Sequence, residues 1–464
     1  MIEMTLGEIA TAVSGSLHFG EPEKSVSGTV DTDSRLIGQG DIFFAKLGEK
    51  ENGHAYLAEV SKNGASLAVV SELNSAVPVP QILVDDTVLA LSVLASYVLE
   101  KVRKSGDLEV IGITGSNGKT STKNMLRAIL EAHGKTVAPR DSFNNEVGLP
   151  LTVLKLEADT KYLVLELGAA GPGSIEKLAS WTKPDYGIEL KVGLAHAGAF
   201  GGIEVTEAIK AELMQHINKI ALLNFDDPRV KAFKELTNAK VIGFGYDSES
   251  DYQISDAEIS IAGTSFSLKY PDGQVRTVNL KILGEHHSYN AAAALAISDQ
   301  IGIDPQAAIS SLENLEMAER WRMQLMTSPE GILVINDAYN ASPDSMRAGL
   351  QTLATLGRQG HRTVAILGQM AELGDYAAAE HDALGRLVVR YNIDKLFVIG
   401  DAAKLIHLGA MFEGSWDGES EYFEDVNQAF DEIRGKLTQG DVVLVKSSNV
   451  AGLRFFGDKL AGVN

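Results

Sequence analysis

An apolar run that breaks into a glycine loop and re-enters the chain as a helix admits few folds, and residues 108–131 have that pattern. Leu108 to Ile113 reads as a strand, and Thr122 to Glu131 has helical spacing. Between them lies Thr114-Gly115-Ser116-Asn117-Gly118-Lys119-Thr120-Ser121. Gly115 and Gly118 let backbone N–H groups turn inward around anionic oxygens, and the helix adds its positive N-terminal end. Lys119 supplies a charge that reaches outer phosphates, and Thr120 a hydroxyl for Mg²⁺. The general phosphate-loop pattern has one more glycine five residues before Gly118, where this chain has Ile113. On position alone a simple glycine turn is the other reading. Either way the layout calls for an α/β unit.

The 464 residues allow about three domains at roughly 150 residues each. An apolar content of 45% is enough for sizeable cores. The formal net charge is −21, and no run of Lys and Arg forms a nucleic-acid footprint. An anionic small substrate then needs a local positive pocket. With no Cys, disulfides and thiolate metal sites are excluded. Met1-Ile2-Glu3-Met4-Thr5 lacks the basic start and apolar core of a signal peptide, and no apolar run reaches the length of a membrane span. The expectation is a cytoplasmic protein, taken as a monomer.

Residues 1–85 read as a small α/β domain, opened by the capping-box spacing Thr5-Leu6-Gly7-Glu8. Ser34, Arg35 and Lys46 fall in its loops and strand ends, as ordinary surface groups or as a grip on a phosphate-bearing ligand. Residues 86–106 form a connecting helix. Residues 107–316 alternate strand and helix signals, which predicts a largely parallel sheet. Within them Tyr162 to Gly168 is an apolar strand carrying Glu166 at its C-terminal end, where open α/β sheets bind ligands. Glu166 is a Mg²⁺ ligand or a strand-end carboxylate in solvent. His196 lies in a glycine-rich loop, Lys210 reads as a surface helix lysine, and Asn290 enters an alanine-rich helix. Residues 317–464 repeat the alternation as a doubly wound, Rossmann-like unit with strands at 331–335, 363–367, 395–399 and 441–445. There Ser342 as cap and Pro343 as first helical residue start a helix.

Taken together these stretches resemble the Mur ligase family, the ATP-dependent amide ligases of bacterial wall-precursor synthesis. The phosphate loop has that family's short form. The segments Phe143 to Pro150, Asp337 to Ser345 and Leu367 to Gly374 resemble the branch that joins D-Ala-D-Ala to UDP-N-acetylmuramoyl-tripeptide. The resemblance covers essentially the whole chain. It implies a first domain that holds the uridine diphosphate end near Ser34, Arg35 and Lys46, a second that binds ATP, and a third that brings in the dipeptide. It implies that Lys210 is carbamylated, that Glu166, His196 and the modified Lys210 hold one Mg²⁺, and that Thr120 holds another. Asn290, Arg322 and Asp337 then contact the nucleotide alongside Gly115 to Ser121, and Asn144, Asn145, Tyr339 and Asn340 the substrates. Lys119, Lys210, His196 and Glu166 form the implied catalytic set. Three positions depart from the family pattern: His287 stands for Asn, Ala338 for Ser and Asn449 for Arg.

Two other readings stand beside this one. A sister ligase adding a single amino acid, or a folylpolyglutamate synthetase, shares the phosphate loop, although the latter normally lacks a uridine-binding domain. A non-catalytic nucleotide-binding scaffold would explain Ala338 and Asn449 but not the retention of Lys119, Thr120, Glu166, His196 and Lys210.

Overall fold

A computed structural model describes residues 1–463 except 49–50, 140–141, 196, 318 and 416–417. Among the described residues there are three larger sheets, each with helices packed on it. The first has five strands in the order Ser16–His18, Gln81–Leu83, Leu67–Val70, Ile42–Phe44, Val30–Asp31, parallel except at the Ser16–His18 edge. Its central strands are apolar on both faces, as burial under helices and loops requires.

The second sheet has nine strands, and the phosphate-loop strand Glu109–Thr114 lies inside it, between Tyr162–Glu166 and Tyr186–Glu189. Six neighbouring pairs, from Thr136–Val137 to Tyr252–Ser260, are parallel. Gly263–Lys269 and Val275–Leu280 extend the sheet as an antiparallel edge. The chain turns to one side of Glu109–Thr114 for the next strands and to the other side afterwards. That reversal opens a crevice at the C-terminal strand ends, where the loop sits.

The third sheet has six strands: Gln324–Thr327, Leu333–Asn336, Val442–Lys446, Thr363–Leu367, Lys395–Ile399, Ser420–Phe423. The first pair is antiparallel and the rest parallel. The edge strands Gln324–Thr327 and Ser420–Phe423 are absent from the sequence reading. Both are short and only partly apolar, so neither carries a strong period. The α/β class and the mostly parallel sheets are as the sequence leads one to expect.

The helix Thr87–Ser105 joins the first two sheets. Asp86 caps it, accepting from the N–H groups of Val88 (2.8 Å) and Leu89 (3.0 Å). Its buried face, Ala90, Leu91, Leu94, Ala95, Val98, Leu99 and Val102, belongs to one core that also takes in Ile42 and Leu67 from the first sheet and Val110, Leu149 and Leu163 from the second unit. Among the described residues no helix is long and apolar enough to cross a membrane.

Candidate nucleotide site between the second and third units

The loop's geometry follows from its glycines. Gly118 has φ +88°, and a Cβ there would lie 2.6 Å from Asn290 Oδ1. The left-handed backbone and the close approach both demand glycine. The helix Lys119–Glu131 begins directly after it, three residues earlier than its spacing suggests. Ser116 anchors the loop to the neighbouring strand exit: its N–H donates to Lys191 O (2.7 Å), and its Oγ accepts from Gly193 N (2.9 Å). Lys119 Nζ folds back to Gly115 O at 2.6 Å. Burial lowers its pKa, against the opposing pull of Glu166.

Polar groups from two units converge on a cavity of about 320 Å³. The second unit contributes Ser116 to Ser121, Ser142, Asn144, Glu166, Lys191, His286, His287 and Asn290. The third contributes Arg322, Asp337, Tyr339, Asn340, Asp344, Ser345 and Lys446. Thr120 Oγ1 is the junction: it donates to Glu166 Oε2 (3.3 Å), accepts from Arg322 Nη2 (3.3 Å) and shares a hydrogen bond with Ser142 Oγ (3.2 Å). Arg322 also lies over the Tyr339 ring, 4.5 Å from its centroid. Asp337 Oδ2 accepts from Lys446 Nζ at 2.6 Å, and its Oδ1 from Met323 N at 3.1 Å. Asn290 accepts from Thr122 Oγ1 and lies 3.3 Å from His287 Nδ1. Burial lowers the pKa of both His286 and His287, so both rings are neutral near pH 7. The cavity therefore offers loop N–H groups, Lys119 and Arg322 to an anion, and neutral polar edges beside them.

Lys210 is not the surface lysine that its helical context implies. It is 4% exposed on the helix Ile203–Ala211, with Nζ 3.3 Å from Thr114 Oγ1 at the end of the loop strand. Burial, then neighbouring Lys119, pushes its pKa down to about 7. Glu166 is fully buried at the end of its strand, which removes the reading of a carboxylate in solvent. Its Oε1 lies 3.5 Å from Lys123 Nζ and has no hydrogen-bond partner. His196 lies outside the described residues.

Several expected residues sit elsewhere. Ser34 and Arg35 start a short helical turn in the first unit, and Arg35 is ion-paired with Asp33 at 2.6 Å. Neither they nor Lys46 line the cavity. Asn145 Oδ1 accepts from Val147 N (3.2 Å) and Gly148 N (2.9 Å), starting the helix Gly148–Val153. Asn144, its neighbour, does line the cavity.

The sequence reading missed Ser142, Lys191, Asp344 and Lys446 as cavity residues, and Glu189 beside them. Asp344 lies within the Asp337 to Ser345 segment that carries the resemblance, and Glu189 carried a positional signal of its own. Tyr186-Gly187-Ile188-Glu189 is an apolar strand ending in a carboxylate, as Tyr162 to Glu166 is.

Oxygen donors of this kind suit a hard cation such as Mg²⁺. Glu166 Oε1 and both oxygens of Glu189 are buried with no hydrogen-bond partner among the described residues, the Thr120 hydroxyl adjoins Glu166, and the Ser142 hydroxyl adjoins Thr120. These residues fit a divalent cation. Among the described residues no group of three or more His, Asp or Glu is placed to hold a metal on its own. The expected set instead draws on a hydroxyl, a modified lysine and His196.

Comparison with known proteins bears on this geometry. Residues 113–298 match the Mur ligase middle domain, and residues 321–449 match the Mur ligase, glutamate ligase domain. The chain is 39% identical to a UDP-N-acetylmuramoyl-tripeptide–D-alanyl-D-alanine ligase of Mycobacterium tuberculosis, over 99% of this chain and 98% of the relative. A crystal structure of MurF from Acinetobacter baumannii superposes with a TM-score of 0.89 at 30% identity, covering 99% of each chain. The MurF ligase of Thermotoga maritima, solved in complex with ADP, superposes with a TM-score of 0.80 at 27% identity, over 94% of this chain and 98% of that one.

Proposed function

The chain belongs to the Mur ligase family, and from that premise we propose that it joins D-Ala-D-Ala to UDP-N-acetylmuramoyl-tripeptide at the expense of ATP, in cytoplasmic peptidoglycan precursor synthesis. The observation that carries the reading is the single cavity in which the phosphate loop meets Arg322, Asp337 and Lys446 of the third unit. The full-length relatives named for that reaction support the choice of substrates.

The chemistry explains why such a cavity is needed. A carboxylate is a poor electrophile at neutral pH. Its oxygen attacks the γ-phosphorus of ATP, ADP leaves, and an acyl phosphate results. The amine of D-Ala-D-Ala then attacks the acyl carbon, phosphate leaves with the bonding pair, and the amine proton passes to a base. Both first reactants are anions, so Lys119, the loop N–H groups and Arg322 hold the phosphates and offset the charge that develops. Asn290, with His287 behind it, faces the nucleobase. Asn144, Tyr339 and Asn340 lie toward the acceptor peptide. Ser34, Arg35 and Lys46 hold the uridine diphosphate end in the first unit, remote from the reacting centre. Contact between the second and third units keeps water from the acyl phosphate.

Two Mg²⁺ ions, when bound, add Lewis-acid stabilisation of the phosphoryl oxygens. Thr120 would hold one. Glu166, His196 and a carbamylated Lys210 would hold the other. The depressed pKa of Lys210 supports the modification, because only a neutral amine adds to CO₂.

The test is phosphate release with ATP, Mg²⁺, a panel of UDP-N-acetylmuramoyl-tripeptides and either D-Ala-D-Ala or single amino acids. Release that depends on both tripeptide and dipeptide is the expected result. Turnover with single amino acids alone would assign a sister ligase. Nucleotide binding without turnover on any muramoyl peptide would assign a scaffold.

A further inference from the structure

The buried carboxylates are a demanding class, and among the described residues all but one of those outside the cavity have hydrogen-bond or ion-pair partners. Asp185 accepts from Val110 N and lies 3.5 Å from Arg103. Asp227 accepts from the N–H groups of Val192, Arg229 and Val230. Asp441 is bound by Arg362 and Thr438, and Asp458 by Arg320, Trp321 and Asn336. Glu189 is the exception. It is 0% exposed, and neither carboxylate oxygen has a hydrogen-bond partner.

Its place in the sheet is specific. Glu189 pairs with Thr114 in the parallel ladder beside the phosphate-loop strand, so the two side chains share a face. Thr114 Oγ1 is the atom that receives Lys210 Nζ at 3.3 Å. Glu166 pairs with Ile113, one residue earlier, and so leaves the strand end from the opposite face. The loop strand thus ends with one buried carboxylate on each side. Lys119 and Lys210 are the cations in the field of Glu189, yet neither forms an ion pair with it among the described residues. Burial pushes the Glu189 carboxyl up to about 8, so without a partner it keeps its proton near pH 7, and a hydrogen bond, a counter-charge or a metal is what would hold it as the carboxylate.

We infer that Glu189 is a carboxylate ligand, directly or through one water, of a divalent cation held on the Lys210 side of the phosphate loop. The inference rests on the Mg²⁺-nucleotide reading of the cavity and adds a residue to it. It gives the cation a carboxylate encoded in the chain on the face where the proposed function otherwise calls for a carbamylated Lys210.

The probe is Mn²⁺, followed by electron paramagnetic resonance and by isothermal titration on the full chain, with ADP absent and present. Glu189→Gln keeps the size and removes the charge. It is expected to weaken Mn²⁺ by about tenfold or more, while metal-free ADP affinity stays within twofold. Glu189→Asp is the second variant should the amide fail to fold, with a smaller loss expected because a carboxylate remains. Glu166→Gln is the control for the cation site itself. Loss of Mn²⁺ in the Glu166 variant with unchanged affinity in both Glu189 variants would overturn this inference and leave the proposed function intact. If the wild-type chain with ADP binds no Mn²⁺, both fall.

Discussion

Lys210 shows how much the environment of one residue changes its chemistry. An ammonium on an exposed helix is inert toward CO₂. Buried against Thr114, with Lys119 nearby, the amine is held down to about pH 7 and is a nucleophile at neutral pH. Incorporation of ¹³C-bicarbonate, read by NMR of the carbamate carbon, is therefore expected to rise as pH passes upward through about 7. Lys210→Ala is expected to lose about 10²-fold or more in kcat, and short-chain carboxylic acids to restore part of it. Unchanged activity in that variant would remove the carbamate from the mechanism. Gly118 makes the same point for the backbone. Its φ of +88° and the 2.6 Å approach to Asn290 leave no room for a side chain. The glycine that the loop lacks at Ile113 costs nothing, because Ile113 is a buried strand residue.

At the scale of elements, the helix Thr87–Ser105 is more than a connector. Its existence as an apolar-rich helix was legible in the sequence, whereas the cap at Asp86 came only with the structure. What it packs against was not legible either, since periodicity gives a face but not a partner. Here the face is covered by side chains from two sheets in one core. Leu94→Ala, at a fully buried position of that face, is expected to cost about 2–5 kcal/mol. Urea unfolding should then show the first and second units losing structure together at a lower midpoint. Independent transitions, with only the first unit affected, would argue against a shared core. The short edge strands at 324–327 and 420–423 illustrate the converse: their pairing comes from neighbours in the sheet, not from their own pattern.

At the scale of the molecule, the second and third units touch through polar groups around the cavity. Besides Arg322 to Thr120, these include Lys191 to Asp344 (3.0 Å), Ser342 to Asn117 (3.1 Å) and Asn124 to Glu319 (2.9 Å). Behind them Gly198 lies so close to the third-unit segment that a Cβ there would come 2.1 Å from Leu373 C. Exposed pairs such as Lys191–Asp344 contribute little each. Arg322 differs because it spans the junction while stacked on Tyr339. Arg322→Lys loses the planar fork and the stack, and is expected to weaken ATP by about tenfold or more. The thermal stabilisation that saturating nucleotide confers should shrink with it. An unaltered nucleotide-induced shift in melting temperature would show that the junction does not depend on that guanidinium.

The sequence by itself determined the α/β class, the phosphate loop and the strand-end position of Glu166, because these rest on local spacing and on what glycine, lysine and a strand terminus can do. The order of motifs along the chain carried the family. Only the tertiary structure decided which charges are buried, and burial sets their chemistry. It turned Lys210 from a surface cation into a depressed amine and brought Arg322, Asp337 and Lys446 to the loop across a unit boundary. It also left Glu189 without a partner on the face opposite Glu166. Those outcomes depend on strand order and ladder register, which join residues far apart in the chain and leave no period within it.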